Sequence, residues 1–513
     1  MKIERKKNAV RGTVFGIILK VTQIVFQFII RTIFIRSLGA EYLGLNSLFT
    51  AILQVLNLAE LGVSSALVFS MYRPIADNDS EKICQLMNLY KRYYRLIGMV
   101  VLTAGILLIP FLPRLIKGTV PANINLYIIY AMNLAATVLS YWLFAYWNSL
   151  FVAHQRNDII SIITIVVNLC LYGLQITCLL VFKNYYLYLS LNILAQIAIN
   201  IITAITSKRF YPDYSPRGSV SEKEKKSINT KLKDLFTSRI GGVVNNAADS
   251  IVISSFLGLE VLAIYQNYYY IISAIIAMFN VFFAACTAGI GNSLLVNDEE
   301  HNHRLLYSIN HIVFMAINFC CCCFVSICQP FMKLWVGENL MLDFSFVILF
   351  AVYLFAEEAP RTLIVFKDAG GIWRHDRFRP LLSATFNLVM NLILSQIIGL
   401  YGIIISTIAA LMLVSLPWAV VNINNRLFNM NIKKYCIRFI AYILVIAVSI
   451  FISYKASSLI LIDDIVLGML LRIIVSGTTA LLIFVLIFIR TEENRYVLQM
   501  VQGACRKIVK RPR

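Results

Sequence analysis

The stretch Gly16–Arg36, GIILKVTQIVFQFIIRTIFIR, decides what kind of protein this is. It is apolar and long enough to cross a bilayer, which takes about 20 residues of helix. It also carries Lys20, Gln23, Gln27 and Arg31. At about 100° per residue, these positions (i, i+3, i+7 and i+11) share one helix face. A charge at mid-bilayer costs from about 2.5 to over 10 kcal/mol. Arg31, near one end, can snorkel to the interface. Lys20 and the two glutamines are harder to place. Their stripe predicts a hydrated cavity beside this helix, with interhelical hydrogen bonding as the alternative.

The rest of the chain has the same character. Of 513 residues, 59% are hydrophobic and only 14% charged, and the mean hydropathy is +0.76. A soluble chain is about one quarter charged, so this composition predicts an integral membrane protein. The basic start MKIERKKNAVR leads into a run too long for a signal peptide and lacking a small-residue cleavage site. Apolar runs fall at 13–35, 45–71, 94–112, 125–150, 159–182, 185–206, 235–257, 261–293, 306–332, 344–366, 380–399, 401–422, 436–456 and 465–489. The expectation is therefore an all-α polytopic protein with fourteen transmembrane helices.

Charge orients it. The net charge is +20, which in a soluble protein would suggest nucleic acid. Here the segments on the side of the termini hold 35 Lys and Arg and the opposite loops hold six. Cationic loops face the cytoplasm, so both termini are expected there, with no nucleic-acid partner.

The organisation reads as a repeat. Leu38-Gly39-Ala40-Glu41-Tyr42-Leu43 and Leu257-Gly258-Leu259-Glu260-Val261-Leu262 share the pattern L-G-x-E-x-L, each on the outer hairpin of a helix pair. Six helices separate them, so the repeat is parallel, about an axis along the membrane normal. The expected divisions are a six-helix bundle at 1–206, a polar linker at 207–234, a second six-helix bundle at 235–422, and a terminal helix pair with a basic tail at 423–513.

Further polar residues interrupt the apolar runs. The second run has Thr50, Gln54, Asn57 and Glu60. The seventh has Arg239, Asn245, Asn246 and Asp249. The tenth has Glu357, Glu358 and Arg361, with Glu357 and Arg361 at the i, i+4 spacing that favours an ion pair. Arg472 in the last run lies within reach of Asp463 or Asp464. Buried cations and carboxylates spread over both bundles suit an anionic, polar cargo, because guanidinium holds phosphate bidentately and lysine holds it as a point charge. The 11 cysteines do not form a disulfide framework, and the run Cys320–Cys323 points in four directions on a helix, so it reads as small buried side chains. The two histidines of NDEEHNH, 297–303, read as part of a solvated loop. No phosphate-binding glycine loop and no HExxH occur, so no enzyme chemistry is expected.

Three stretches resemble a known family. They are RSLGAEYLGLNSLFTAILQVLNLAELGVSSALVFSMYRPIADND (Arg36–Asp79), FKDAGGIWRHDRFRPLLSATFNLVMNLILS (Phe366–Ser395) and IIGLYGIIISTI (Ile397–Ile408). They are similar to bacterial polysaccharide biosynthesis proteins of the Wzx type, which are flippases of lipid-linked oligosaccharides in the multidrug/oligosaccharidyl-lipid/polysaccharide exporter superfamily. The resemblance implies a plasma-membrane flippase that moves undecaprenyl-pyrophosphate-linked repeat units outward by alternating access of two bundles, for capsule, exopolysaccharide or O-antigen-type synthesis. Its pathway partners would be a polysaccharide polymerase and glycosyltransferases. No cofactor is expected, and sodium or protons are the candidate coupling ions. Our assignment makes Lys20, Arg31 and Arg239 the anion contacts. Gln23, Gln27, Gln54, Asn57, Asn245 and Asn246 line the cavity, and Glu60, Asp249, Glu357 and Arg361 serve as charge partners or coupling sites. Trp373-Arg374-His375-Asp376-Arg377 would shape a loop or meet lipid head groups. The alternatives are a cation-coupled multidrug antiporter of the same fold and a peptidoglycan lipid II flippase. A glycan polymerase or ligase would need a large outer loop, and the outer loops here are short.

Overall fold

The computed structural model describes residues 5–497 except 61, 119, 122, 374, 429–430, 461 and 463; the side chains of a few helix positions, Arg239 and Asn246 among them, also lie outside the described residues. No strand occurs among the described residues. The first part of the chain forms α1 (Arg5–Leu38), α2 (Ala40–Leu56), α3 (Val63–Ala76), α4 (Ser80–Leu108), α5 (Leu126–Trp142), α6 (Asn148–Ala153), α7 (Asn157–Thr177) and α8 (Tyr185–Phe210). Then come α9 (Glu222–Phe256), α10 (Leu259–Val296), α11 (Glu299–Trp335), α12 (Phe344–Glu358) and α13 (Arg361–Ala369). The last are α14 (Arg379–Ile398), α15 (Leu400–Ala409), α16 (Leu416–Arg426), α17 (Ile432–Ser458) and α18 (Ile465–Phe488). Short polar residues start many of them. Asp79, Asn125, Asn184, Asp298, Asn431 and Asp464 each accept a hydrogen bond from a first-turn N–H, satisfying donors that a helix start leaves open. Asp298 belongs to NDEEHNH, so part of that motif is a helix cap.

Eleven spans are long and apolar enough to cross a membrane among the described residues, or twelve if α5 and α6, bent by 47°, are one span. The sequence reading gave fourteen. The two others expected, 235–257 and 344–366, are helical but fall short for physical reasons. The apolar part of α9 is diluted by Arg239, Asn245, Asn246 and Asp249. The tenth run is cut at Ala359–Pro360, leaving α12 with 15 residues and α13 with 9.

The chain divides into two compact units, Met1–Ala263 and Ile264–Arg513. This border lies C-terminal to the expected linker, because α9 packs on α2, on α3 and on the turn between them. In the first unit α1 lies along α7, α4 packs on α3 and α5, and α8 packs on α5 and α7. The linker is itself structured. Its second half is the start of α9, and its first half lies against α4. Asn88 donates to the Gly218 carbonyl (2.7 Å), Tyr93 donates to Asn229 (2.6 Å), and Lys82 pairs with Glu224.

The repeat is visible in the backbone. Gly39 and Gly258 both have φ of +104°, a region that strains any residue with a Cβ, and each is followed directly by a helix with a glutamate in its first turn. Gly44 in α2 lies so close to the second copy that a Cβ there would run into the Leu259 carbonyl.

In the second unit α11 is the hub, packing on α12, α13, α17 and α18. Lipid gives helices no hydrophobic reason to associate, so close approach depends on small side chains. Cys320–Cys323 supplies them. Cys321 points its thiol at the Ala351 carbonyl of α12, and Cys323 at the Ile473 carbonyl of α18. Asn318 donates to the Ala480 carbonyl (2.9 Å), and Gly477 leaves room for the Phe319 ring. Arg472 donates to the Ile460 carbonyl (3.2 Å), toward the end of its helix.

Candidate functional site

The site is built where α2 stops. Residues Asn57–Glu60 tighten into a 3-10 turn, and Gly62, at φ +87°, redirects the chain into α3. A broken helix within the membrane is tolerated where backbone is covered by protein or lines a water-filled space. Glu60 stands on this turn, half-buried. The Tyr94 hydroxyl of α4 donates to its Oε1 at 2.5 Å, and the Tyr141 hydroxyl of α5 lies 3.0 Å from Oε2 and 2.9 Å from Asn57 Oδ1. Tyr90, one turn before Tyr94, donates to the Tyr94 oxygen at 3.1 Å. The three tyrosines are 3–6% exposed. Both carboxylate oxygens are thus oriented by neutral donors, with lone pairs left over, and no cation pairs with Glu60 among the described residues. Chemically this is a fixed carboxylate at a helix break.

The α1 stripe lies elsewhere on the first unit. Lys20 and Gln27 are exposed, and Gln23 and Arg31 half-buried. They run along one edge of an exposed apolar arc comprising Val14, Ile17, Ile18, Val21, Val25 and Ile29. The stripe is therefore at the surface of its unit and not sealed in a seam. Gln54 is exposed, Asn245 is half-buried and Asp249 is 8% exposed, the last two each interacting with a neighbour. The structure joins Asn57 to Glu60 through Tyr141; no described bond ties Lys20, Gln23 or Gln27 to that cluster. The side chains of Arg239 and Asn246 lie outside the described residues.

In the second unit Glu357 and Arg361 stand on either side of the helix break at Ala359–Pro360, and Arg361 donates to Asn280. The neighbouring Glu358 is 0% exposed, and neither of its oxygens accepts a hydrogen bond from a described residue; Thr362, one turn on, is equally buried and its hydroxyl equally unpartnered. The loop after α13 is held by Asp376, 4% exposed, which binds Lys367 (2.8 Å) and Arg379 (2.9 Å) and accepts from Asn422 (3.1 Å). Asp376 therefore shapes the loop, while Trp373 stays 62% exposed and Arg374 lies outside the described residues. The first unit has a smaller counterpart after its own bent helix, where Arg156 pairs with Asp158 at 3.0 Å. The hydrogen bonds that Arg156 donates to Asp158 hold its guanidinium above its ordinary pKa.

Sequence reading missed the three tyrosines. Tyr90 and Tyr94 carry a signal, since i, i+4 phenols on an apolar helix need acceptors. Nothing in the sequence points Tyr141 at Glu60.

Solved structures share this fold. The lipid II flippase MurJ in an inward closed conformation aligns with a TM-score of 0.68 at 12% identity, over 93% of this chain and 99% of that one. An inward-facing multidrug resistance MATE transporter of the MOP superfamily gives 0.59 at 15%, over 80% and 98%. A Vibrio cholerae MATE transporter gives 0.55 at 15%, over 83% and 98%. No curated protein matches by sequence. The family model for polysaccharide biosynthesis proteins matches residues 9–287, more than half of the chain. A multi-pass chain with two compact units, a broken second helix bearing a clasped carboxylate and this match is a member of the polysaccharide biosynthesis protein family, on the fold of the MOP-superfamily flippases and transporters.

Proposed function

We propose that the protein is a flippase in the plasma membrane, both termini cytoplasmic, that carries undecaprenyl-pyrophosphate-linked oligosaccharide units to the outer face. The observation that carries this is the α1 stripe: Lys20 and Gln27 are exposed in the middle of a helix whose other exposed residues between Val14 and Ile29 are apolar. Polar chains exposed at membrane depth call for water beside them. A wet path is what a sugar head group needs, since each unpaired hydroxyl moved into hydrocarbon costs about 1–3 kcal/mol or more. Lys20, Arg31 and Arg239 would neutralise the pyrophosphate, Gln23, Gln27, Gln54, Asn57, Asn245 and Asn246 would replace sugar hydration, and Glu60, Asp249, Glu357 and Arg361 would balance charge or bind the coupling ion. The family's link to polysaccharide synthesis favours this cargo over a drug.

The test replaces Lys20 and Arg239 singly with Ala in a strain lacking the native gene. Glycan export should fall at least tenfold at unchanged protein level; full export in both variants removes these residues from the mechanism. Depletion separates the remaining cargo. Loss of capsule or exopolysaccharide alone supports this reading, whereas lysis supports a peptidoglycan precursor.

A further inference from the structure

The second unit has a cavity of about 640 Å³ where the start of α11, the start of α17 and residues 492–496 after α18 come together. It is far along the chain from the Glu60 cluster and shares no residue with the α1 stripe. Four cations line it, Arg304, Lys434, Arg438 and Arg495, and three carboxylates, Glu300, Glu492 and Glu493, so the cations are in excess by one. Two are matched, Arg304 by Glu300 at 3.3 Å and Arg438 by the buried Glu493. Lys434 and Arg495 have no carboxylate within ion-pair distance among the described residues, and both are exposed. Two buried polar atoms of the lining, His303 Nε2 and the Tyr307 hydroxyl, have no hydrogen-bond partner there. Unmatched cations together with unsatisfied polar atoms in a cavity are the signature of an anionic, hydrogen-bonding occupant. All three segments belong to the cation-rich side of the chain, so the cavity opens at the level of the lipid head groups that the proposed topology assigns to the cytoplasmic leaflet. Basic pockets among helix ends on that side take phosphate-bearing lipid head groups.

We propose that this cavity binds the phosphate group of a membrane lipid, with Lys434 and Arg495 as its principal charges. Two lipids carry that chemistry, an anionic phospholipid and the polyprenyl pyrophosphate of the proposed cargo. The second source rests on the flippase reading, and the first does not.

The full-length protein is placed in phosphatidylcholine nanodiscs, and lipid retained on it is read by native mass spectrometry. Titration with phosphatidylglycerol and, separately, with undecaprenyl pyrophosphate should show at least tenfold preferential retention of one of them over phosphatidylcholine. Each surface cation contributes about 1 kcal/mol, about fivefold. The double variant K434Q/R495Q should therefore lose at least tenfold of that retention, while the charge-keeping K434R/R495K keeps it. Selective phosphatidylglycerol retention supports the site whether or not the protein is a flippase, and selective pyrophosphate retention supports both readings. The proposal is overturned by equal retention in wild type and K434Q/R495Q, or by loss in K434R/R495K as well.

Discussion

Glu60 and Glu358 are two acids at two helix breaks, one in each compact unit, with opposite surroundings. Glu60 is half-buried and clasped by tyrosine hydroxyls at 2.5 and 3.0 Å. Glu358 is wholly enclosed and meets no donor among the described residues. Asp376, in the loop after α13, completes the series, since lysine, arginine and asparagine all reach it. Burial alone therefore does not tell what a membrane acid is for. Its partners separate a loop staple, a carboxylate held by neutral hydroxyls and a carboxylate that no hydrogen-bond donor meets among the described residues.

The largest effect should come from the staple. Asp376→Ala leaves Arg379, 11% exposed, without a carboxylate partner among the described residues, while Lys367 keeps Asp368 at 2.7 Å, and the substitution is expected to cost about 3 kcal/mol in thermal unfolding of the detergent-solubilised protein. Asp158→Ala, leaving a more exposed Arg156, should cost about 1–2 kcal/mol. Equal losses would erase the contrast between the two loops. Next, Glu60→Ala removes the acceptor of two buried phenols, for about 2–3 kcal/mol, and should reduce glycan export at least tenfold. Glu60→Gln separates the roles. It keeps an oxygen acceptor and should cost only about 1 kcal/mol, yet if the charge works, export still fails; normal export with Gln would reduce Glu60 to architecture. Tyr94→Phe should cost about 1 kcal/mol. The smallest effect belongs to Glu358→Leu, which should leave stability unchanged or raise it by about 1–2 kcal/mol. A loss above about 2 kcal/mol would show that Glu358 has a partner after all and would break the comparison.

Much of this was legible beforehand. The apolar runs, the L-G-x-E-x-L copies with their matching glycines, the cysteine run as packing and the polar stripe of α1 all follow from composition and period, which act locally. The tyrosine clasp was not legible, because Tyr94 and Tyr141 are 34 and 81 residues from Glu60. The number of helices that pass on length and hydropathy differs from the expected fourteen for a related reason. A polar helix such as α9 is stabilised by packing on α2 and α3 and need not satisfy lipid on all sides, so its hydropathy does not describe its place.

The sequence by itself determined that this is a basic, helical, multi-pass membrane protein with a repeated plan, because hydropathy and loop charge are read by the bilayer one segment at a time. Tertiary structure alone decided which acids are satisfied, where α2 and the tenth run break, that the linker lies along α4, and that four cations and two unpartnered polar atoms share one cavity. Those properties belong to side chains brought together from distant segments, and a hydrogen bond is defined by where its partner ends up rather than by the residue that carries it.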